Sequence, residues 1–220
     1  MKKRIADKEY LDSHKSNKYW DFGNDILYNL CKNYFEHNEE KVILTKALFI
    51  GRIYAAAIER RKINKMNNDY FYIEKIAPAF KNSKIDEYLL KLKSIKTLSF
   101  DNLQQVLEVH QYLITTLFEI TGMDKRSFSS KYLHFHLPEL FFIYDSRSVS
   151  ALSSFTKQVP KDLQKLTSLK NVDAEYAKFF CKCFDLKTKI EKLHNIPLTN
   201  RQLDNMLIEV ANEKVKLLQE

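Results

Sequence analysis

The sequence predicts an all-α fold, and three observations support this class. Only 3 glycines and 4 prolines interrupt the 220 residues, too few for the many turns of a β-rich fold. Apolar residues recur at the three- and four-residue spacing of a helix face. No segment has the pattern of a strong strand, a repeat or a low-complexity linker. We expect about ten helices in a single domain, and the length also suits two lobes, about 20–100 and 101–220.

Four helices are predicted in the first half of the chain. Asn24 is expected to cap a helix that ends near Glu36. A longer helix should follow over about 39–62, with its apolar residues facing inward. Two shorter helices are expected near 70–77 and 85–93.

The second half contains five predicted helices. Asp101 is expected to cap a helix that Gly122 ends, since a glycine commonly follows the last apolar turn. Another helix should open at Ser127 and end near Pro138, because a proline inside it would break the hydrogen bonding. The last three helices are expected after Asp145, over 173–194 and over 199–218. A helix–hairpin–helix-like element is therefore expected over about 101–137.

Composition narrows the classes of partner. The net charge is +8, which favours a polyanionic partner such as nucleic acid, although a solvated basic surface is the alternative. No apolar run approaches the length of a membrane span, and the basic start lacks the apolar region of a secretory signal. The three cysteines have neither a framework spacing nor a C-x-x-C pair. We therefore expect a cytoplasmic protein with reduced thiols, no membrane partner, no metal and no cofactor.

The segment SFSSKYLHFHLPELFFIYDSRS, residues 127–148, combines polar and aromatic side chains. Asp145 ends its apolar run, so it is either a helix N-cap or a partly desolvated carboxylate that acts as a base or stabilises positive charge. The two roles are compatible. Lys131 is either a solvated helix lysine or a nucleophile that forms an imine. His134 and His136 point to different sides of a helix and are expected in a pocket or the core.

Two other segments suit binding. The turn TGMDKRS places Gly122 beside Lys125 and Arg126 at a helix N-terminus, which suits a phosphate oxygen, although it is also an ordinary polar turn. In FIGRIYAAAIERRK, Arg52 and Glu59 are seven residues apart and should project from one helix face. They are expected to frame a cleft or to form a salt bridge at the rim of a helix crossing.

The order of these features resembles the helix–hairpin–helix DNA glycosylase superfamily, in particular its 8-oxoguanine glycosylase-like branch. In the family, the motif begins at a hairpin glycine and continues through a helix and a proline-containing loop to an aspartate. Gly122, Pro138 and Asp145 follow one another in the same order here. The segment SKYLHFHLPELFFIYDS is also similar in sequence to uncharacterised bacterial defence-linked proteins. The family's hairpin usually contains two glycines, whereas this one contains only Gly122. Lys125, Arg126 and Lys131 all lie near the family's lysine position, and we choose Lys131 because it should face the Asp145 segment.

The resemblance implies base excision from DNA, in which a nucleotide is flipped into a pocket. Asp145 would stabilise the sugar cation or activate the nucleophile. In the bifunctional members of the family a lysine, here Lys131, attacks the sugar carbon and forms a covalent imine. The expected substrate-binding residues are Tyr132, Phe135, His136, Tyr144, Arg52 and Glu59. The expected DNA-binding residues are Gly122, Lys125, Arg126 and Arg147. The alternative is a non-catalytic helical module that binds nucleic acid or an unidentified protein, with a role in phage defence, and a third class is an RNA-directed or nucleotide-modifying enzyme.

Overall fold

The computed structural model describes residues 18–63 and 65–217, and all regular structure in these ranges is helical. This confirms the all-α prediction. The ten α-helices are α1 Lys18–Asn33, α2 Glu40–Leu48, α3 Asn68–Phe71, α4 Ala77–Lys81, α5 Ile85–Leu92, α6 Leu103–Thr121, α7 Arg126–His136, α8 Ser146–Leu152, α9 Ala174–His194 and α10 Asn200–Leu217. Two π-helical turns, Phe49–Ile53 and Tyr72–Ile76, and a 3-10 helix, Lys161–Ser168, complete these elements.

One continuous cluster of buried apolar side chains extends from Leu27 in α1 to Ala211 in α10. Helix α7 lies inside this cluster, in contact with α1, α6 and the π-helical turn after α2. Every residue from Phe128 to His136 is buried. The polar side chains of α7 must therefore find partners within the protein, because a buried polar group without a hydrogen bond is costly. The predicted division into two lobes stays a prediction.

Several predicted boundaries are confirmed. Helix α5 covers the predicted segment near 85–93, and α10 matches the predicted last helix. Helix α9 begins after Asp173, whose carboxylate accepts the backbone N–H of Tyr176. Gly122 ends α6 with φ of 67°, the left-handed conformation that glycine adopts most readily. Helix α7 ends before Pro138, as the ring requires.

Two predicted N-caps are wrong. Asn24 lies inside α1, which already includes Lys18, and its buried side chain binds other elements instead. Asp101 does not cap α6, because Asn102 occupies the residue before the helix. The Asn102 carboxamide oxygen accepts the backbone N–H of Ser99 and so closes the preceding turn.

The predicted second helix is wrong in its length. It leaves the α-helical path at Leu48, passes through the π-helical turn and ends at Ile53. Ala55 then has φ of 53°, which L-residues rarely adopt and which reverses the chain. A Cβ at Gly51 would lie 2.6 Å from the Tyr72 hydroxyl oxygen, so tertiary packing uses the small residues of this segment for close approach.

None of the described helices has the combination of length and apolar character that a membrane crossing requires.

Candidate functional site

The buried lysine of α7 meets the aspartate that caps α8. The Nζ atom of Lys131 lies 3.3 Å from Oδ2 of Asp145. Nζ also donates a hydrogen bond to the backbone carbonyl of Tyr54 at 2.9 Å. That carbonyl is available because the chain turns away from helical geometry after Ile53. Three segments that are far apart in the sequence therefore converge on one amine.

The two oxygens of the Asp145 carboxylate have different partners. Oδ1 accepts the backbone N–H of Arg147 at 3.0 Å and so caps α8, as predicted. The Nε atom of Arg147 lies 3.5 Å from the same oxygen. Oδ2 faces Lys131. The predicted cap and a carboxylate beside a cation are thus present together in one residue.

Burial and charge act in opposite directions on this pair. Only 8% of the Lys131 side chain is exposed, and this burial lowers the pKa of the amine although the nearby Asp145 raises it. Burial, the largest single effect, would raise the pKa of Asp145. The Lys131 ammonium and the N–H of Arg147 outweigh burial, so the pKa of Asp145 is lower than usual. A larger share of the amine is therefore neutral than in an exposed lysine, and the carboxylate stays charged.

A cleft of about 470 Å³ opens beside the carboxylate. Asp145, with 20% of its side chain exposed, is the charged residue in its lining. The other lining residues are Ala55, Ser127, Tyr144, Ser146, Val149 and Ser150. Tyr144 supplies the aromatic ring, which packs edge-on against Phe179 with centroids 5.2 Å apart. The cleft thus presents a carboxylate, small hydroxyl groups and one aromatic ring. The Lys131 amine lies behind the carboxylate, hydrogen-bonded to it, and is not part of the lining.

Beneath the pair lies a buried network that sequence analysis missed. Asp204 of α10 accepts a hydrogen bond from the Ser148 hydroxyl at 2.8 Å and pairs with Arg201 at 3.1 Å. Arg201 also donates to the Asn24 side-chain oxygen at 3.2 Å, and the Tyr54 hydroxyl donates to the same oxygen at 2.7 Å. The network therefore returns to Tyr54, whose carbonyl holds Lys131.

One sequence signal could have found part of this network. Asp204 stands among Leu203, Met206 and Leu207 on the apolar side of α10, and a carboxylate in that position needs an internal partner. Burial raises its pKa, and Arg201 and Ser148 oppose that effect. The Tyr54 carbonyl had no such signal, because it depends on the left-handed backbone at Ala55.

Three of the predicted substrate-binding side chains lie in the core. Tyr132, Phe135 and His136 are at most 5% exposed, and none of them lines the cleft. Tyr132 and His136 share a face of α7, as predicted, with ring centroids 4.7 Å apart. The role predicted for the three in binding substrate stays a prediction, although the structure gives them no open surface.

Tyr132 and His136 belong to a second buried polar network. The His37 ring contacts the Tyr132 hydroxyl at 2.6 Å and the Asp86 carboxylate at 2.5 Å. His136 binds the amine of Lys46 at 3.0 Å, and Lys46 also donates to the carbonyl of Tyr34. These contacts satisfy Tyr132 and His136 on the side of α7 away from Lys131, whereas the buried hydroxyl of Ser129 has no hydrogen-bond partner among the described residues.

Side chains of the chain itself occupy the predicted phosphate-binding turn. Lys125 donates to the Arg60 carbonyl at 2.6 Å. Arg126 pairs with Asp173 at 2.7 Å and with Asp124 at 3.0 Å. The side chain of Arg147, by contrast, is 57% exposed in the first turn of α8, the helix that Asp145 caps. The DNA-binding role of Gly122, Lys125, Arg126 and Arg147 stays a prediction.

Arg52 and Glu59 come together by a route that differs from the predicted one. They do not share a helix, because the helical path ends at Ile53, yet Arg52 Nε lies 4.0 Å from Glu59 Oε1. Arg52 also pairs with Asp69 at 2.8 Å, and Glu59 accepts the Tyr72 hydroxyl at 2.6 Å. Neither residue lines the cleft, and their predicted substrate role stays a prediction.

Among residues 18–63 and 65–217, no group of three or more His, Cys, Asp or Glu side chains is placed to hold a metal ion. The three cysteines are free and buried. Comparison of the chain with protein-family models, with curated proteins and with solved structures gives no match. Any function therefore has to be argued from the site itself.

Proposed function

We propose that the protein excises a base from DNA, with Asp145 as the carboxylate that stabilises the sugar cation and Lys131 as the nucleophile. The observation that carries this proposal is the contact between a buried amine and a carboxylate at the edge of an open cleft. The pKa values of both groups are shifted, and Asp145 lines the cleft with the Lys131 amine directly behind it, a combination that is typical of a functional site. The resemblance of the 122–145 segment to the glycosylase order supports the same chemistry.

The reaction needs a neutral amine and a fixed negative charge. As the bond between the base and C1′ of the sugar breaks, the base leaves with the electron pair and takes up a proton. The charge that develops on the sugar is stabilised by the Asp145 carboxylate. The lone pair of Lys131 Nζ forms a bond to C1′, and the nitrogen then releases one proton to water. The C1′–O4′ bond breaks, O4′ takes up a proton, and the nitrogen lone pair forms the second C–N bond of a protonated imine.

The surroundings of the pair suit this sequence of events. Burial favours the neutral amine, and the backbone N–H and guanidinium of Arg147 favour the charged form of Asp145 independently of Lys131. The Tyr54 carbonyl fixes the direction of the amine. Tyr144 offers the cleft an aromatic face on which a flipped base can stack.

The test is a panel of DNA substrates that carry different modified bases, in duplex and single-stranded form, with abasic sites as the readout. We expect the parent protein to release at least one base. Asp145→Asn should lose about two to three orders of magnitude in rate, because asparagine still caps the helix but carries no charge. Asp162→Asn, at an exposed aspartate of the 3-10 helix, is the matched control and should keep the parent rate.

Full activity of Asp145→Asn would show that Asp145 is only a cap. Release of no base from any substrate, together with DNA binding, would favour the non-catalytic binding module instead.

A further inference from the structure

The loop between the first π-helical turn and α3 carries a concentrated positive charge. Its cations are Arg60, Arg61, Lys62 and Lys65, hereafter the basic loop. Arg60, Arg61 and Lys65 are exposed, and Lys62 is half-buried. Lys62 donates to the neutral side chain of Asn68 at 2.6 Å and lies over the Phe71 ring. Among the described residues, no carboxylate lies within ion-pair distance of any of the four.

Within the described part of the chain, other surface lysines also lack a carboxylate partner, among them Lys84, Lys91, Lys93 and Lys96. The basic loop differs from them because its four cations lie within six consecutive residues, next to the segment that forms a wall of the cleft. Five other surface lysines pair with a carboxylate within 3.7 Å: Lys41, Lys81, Lys178, Lys187 and Lys189. Glu59, the acid beside the basic loop, is already bound to Tyr72 and Arg52. The charge of the basic loop is thus left for an external anion.

The basic loop is fixed on the turn between α6 and α7. The backbone N–H of Ile63 donates to the Thr121 carbonyl at 3.1 Å, and Lys125 donates to the Arg60 carbonyl at 2.6 Å. The Ile63 side chain covers Gly122, since a Cβ on that glycine would lie 2.0 Å from Ile63 Cδ1. The loop therefore occupies the turn that the sequence predicted as a phosphate site, and the unpaired cations lie on the loop instead.

The same segment forms one wall of the cleft. The Tyr54 carbonyl holds the Lys131 amine, and Ala55 lines the cleft beside Asp145. From Ala55, the chain reaches Arg60 within five residues. A chain of phosphates held along the basic loop would consequently pass close to the opening of the cleft.

We propose that the basic loop is the surface that holds the phosphodiester backbone of DNA next to the cleft. Charge complementarity favours a polyanion, because four closely spaced cations without a competing carboxylate suit several phosphates of one backbone. The exposed side chains of Ile63 and Tyr70 on this segment add apolar faces that suit bases. The place of the cleft in this inference rests on the proposed function, whereas DNA binding by the basic loop does not.

The experiment measures binding of a short unmodified DNA duplex, and of one of its strands, by fluorescence anisotropy over a range of salt concentrations. The test variant replaces Arg60, Arg61, Lys62 and Lys65 with glutamine. The control variant replaces four exposed lysines around α5 with glutamine: Lys84, Lys91, Lys93 and Lys96. Both variants lower the net charge by the same amount, and matching thermal midpoints show that both are folded.

We expect the basic-loop variant to lose more than tenfold in affinity at low salt. Its slope of log K against log salt should flatten by about three, since each phosphate contact on duplex DNA contributes about 0.9. The α5 control should keep the parent slope within about one contact. Equal losses in both variants would show that net charge alone binds DNA, and an unchanged slope in the basic-loop variant would remove the loop from the surface. Both results would overturn the proposal.

One further arm separates this proposal from its neighbours. The binding experiment uses DNA without a modified base, so a failure of the excision chemistry does not affect its result. Vesicles that contain anionic lipid provide the other polyanionic surface. If the basic-loop variant lost vesicle binding but kept DNA binding, the partner would be a membrane and the proposal would fall.

Discussion

The hydroxyl of Ser148 donates a 2.8 Å hydrogen bond to Asp204, and this contact joins the first turn of α8 to α10. Both residues are buried. Asp145 caps the same turn, and the other oxygen of Asp204 pairs with Arg201. The position of the carboxylate that faces the cleft therefore depends on a network that reaches α1 through Asn24.

The first prediction is that Ser148→Ala destabilises the protein. Loss of the hydroxyl leaves an oxygen of Asp204 without that donor, so the free energy of unfolding should fall by about 1–3 kcal/mol. Ser153→Ala in the residue after α8 is the control, because its exposed hydroxyl bonds only to the local carbonyl of Ser150. Urea unfolding should show a change within about 0.5 kcal/mol for that control. Equal effects in the two variants would contradict a special role for Ser148.

The second prediction concerns Gly122. Alanine there would need a positive φ and would meet Ile63 Cδ1, so Gly122→Ala should lower stability by about 1 kcal/mol or more. Gly23→Ala lies in the interior of α1, where the added Cβ would make an ordinary contact of 4.0 Å with the Tyr54 hydroxyl, and it should be neutral or stabilising by up to about 1 kcal/mol. In the double variant with Ile63→Ala, the clash between the new Cβ and Ile63 Cδ1 is removed, and the strain of a positive φ at an alanine remains. A neutral Gly122→Ala in thermal unfolding would show that the turn is not as described.

Sequence patterns predicted those parts of the fold that local chemistry determines. Helix α9 has an aspartate cap, a long apolar stripe and a clear end, and its bounds agree with the prediction. Gly122 ends α6 because it adopts the left-handed conformation, and α7 ends before Pro138 because a proline ring is incompatible with a helix interior. Asp145 was predicted as a cap from its place after an apolar run, and Lys131 was predicted to face it. Their 3.3 Å contact agrees with that expectation.

Tertiary contacts determine what the sequence could not predict. The alanine-rich segment after Ile53 has a high helix propensity, yet it leaves the helix, and the freed Tyr54 carbonyl binds Lys131. Arg201 and Asn24, which contribute to the site, are 177 residues apart along the chain. Their contact depends on the approach of α10 to α1. No local pattern in the sequence encodes such a pairing.

The third prediction is a loss of stability in mild acid. Burial lowers the pKa of four histidines, to about 3 for His110 and His134 and below the ordinary value for His37 and His136. Below pH 6.5 the unfolded chain binds protons that the folded chain does not, so stability decreases as the pH is lowered. His110 and His134, whose pKa is about 3 in the folded protein, each contribute up to about 1.4 kcal/mol per pH unit between pH 6.5 and that value, and His37 and His136 act in the same direction. Urea unfolding at pH 7, 6 and 5 measures the slope, and equal stability at the three values would contradict the prediction.

The fourth prediction isolates one of these histidines. The His110 ring stacks on Tyr176 at 3.5 Å, and among the described residues its nitrogens make no hydrogen bond of good geometry, although the backbone of Arg126 lies close enough to favour the charged ring. His110→Phe keeps an aromatic ring and removes two buried polar atoms. Stability at pH 7 should stay the same or rise, and the pH slope should decrease by about 1.4 kcal/mol per unit. A strong destabilisation at pH 7 would reveal that the ring nitrogens do have a partner.

Trapping with borohydride tests the central claim most directly, because it asks whether the Lys131 amine bonds to the sugar. The parent protein is incubated with a DNA substrate from which it releases a base, borohydride is added, and the site of the adduct is mapped by peptide mass spectrometry. We expect a covalent adduct on Lys131, none with Lys131→Gln, and the parent yield with Lys189→Gln, an exposed lysine of α9. An adduct on another amine, or an undiminished yield with Lys131→Gln, would contradict the assignment of Lys131 as the nucleophile.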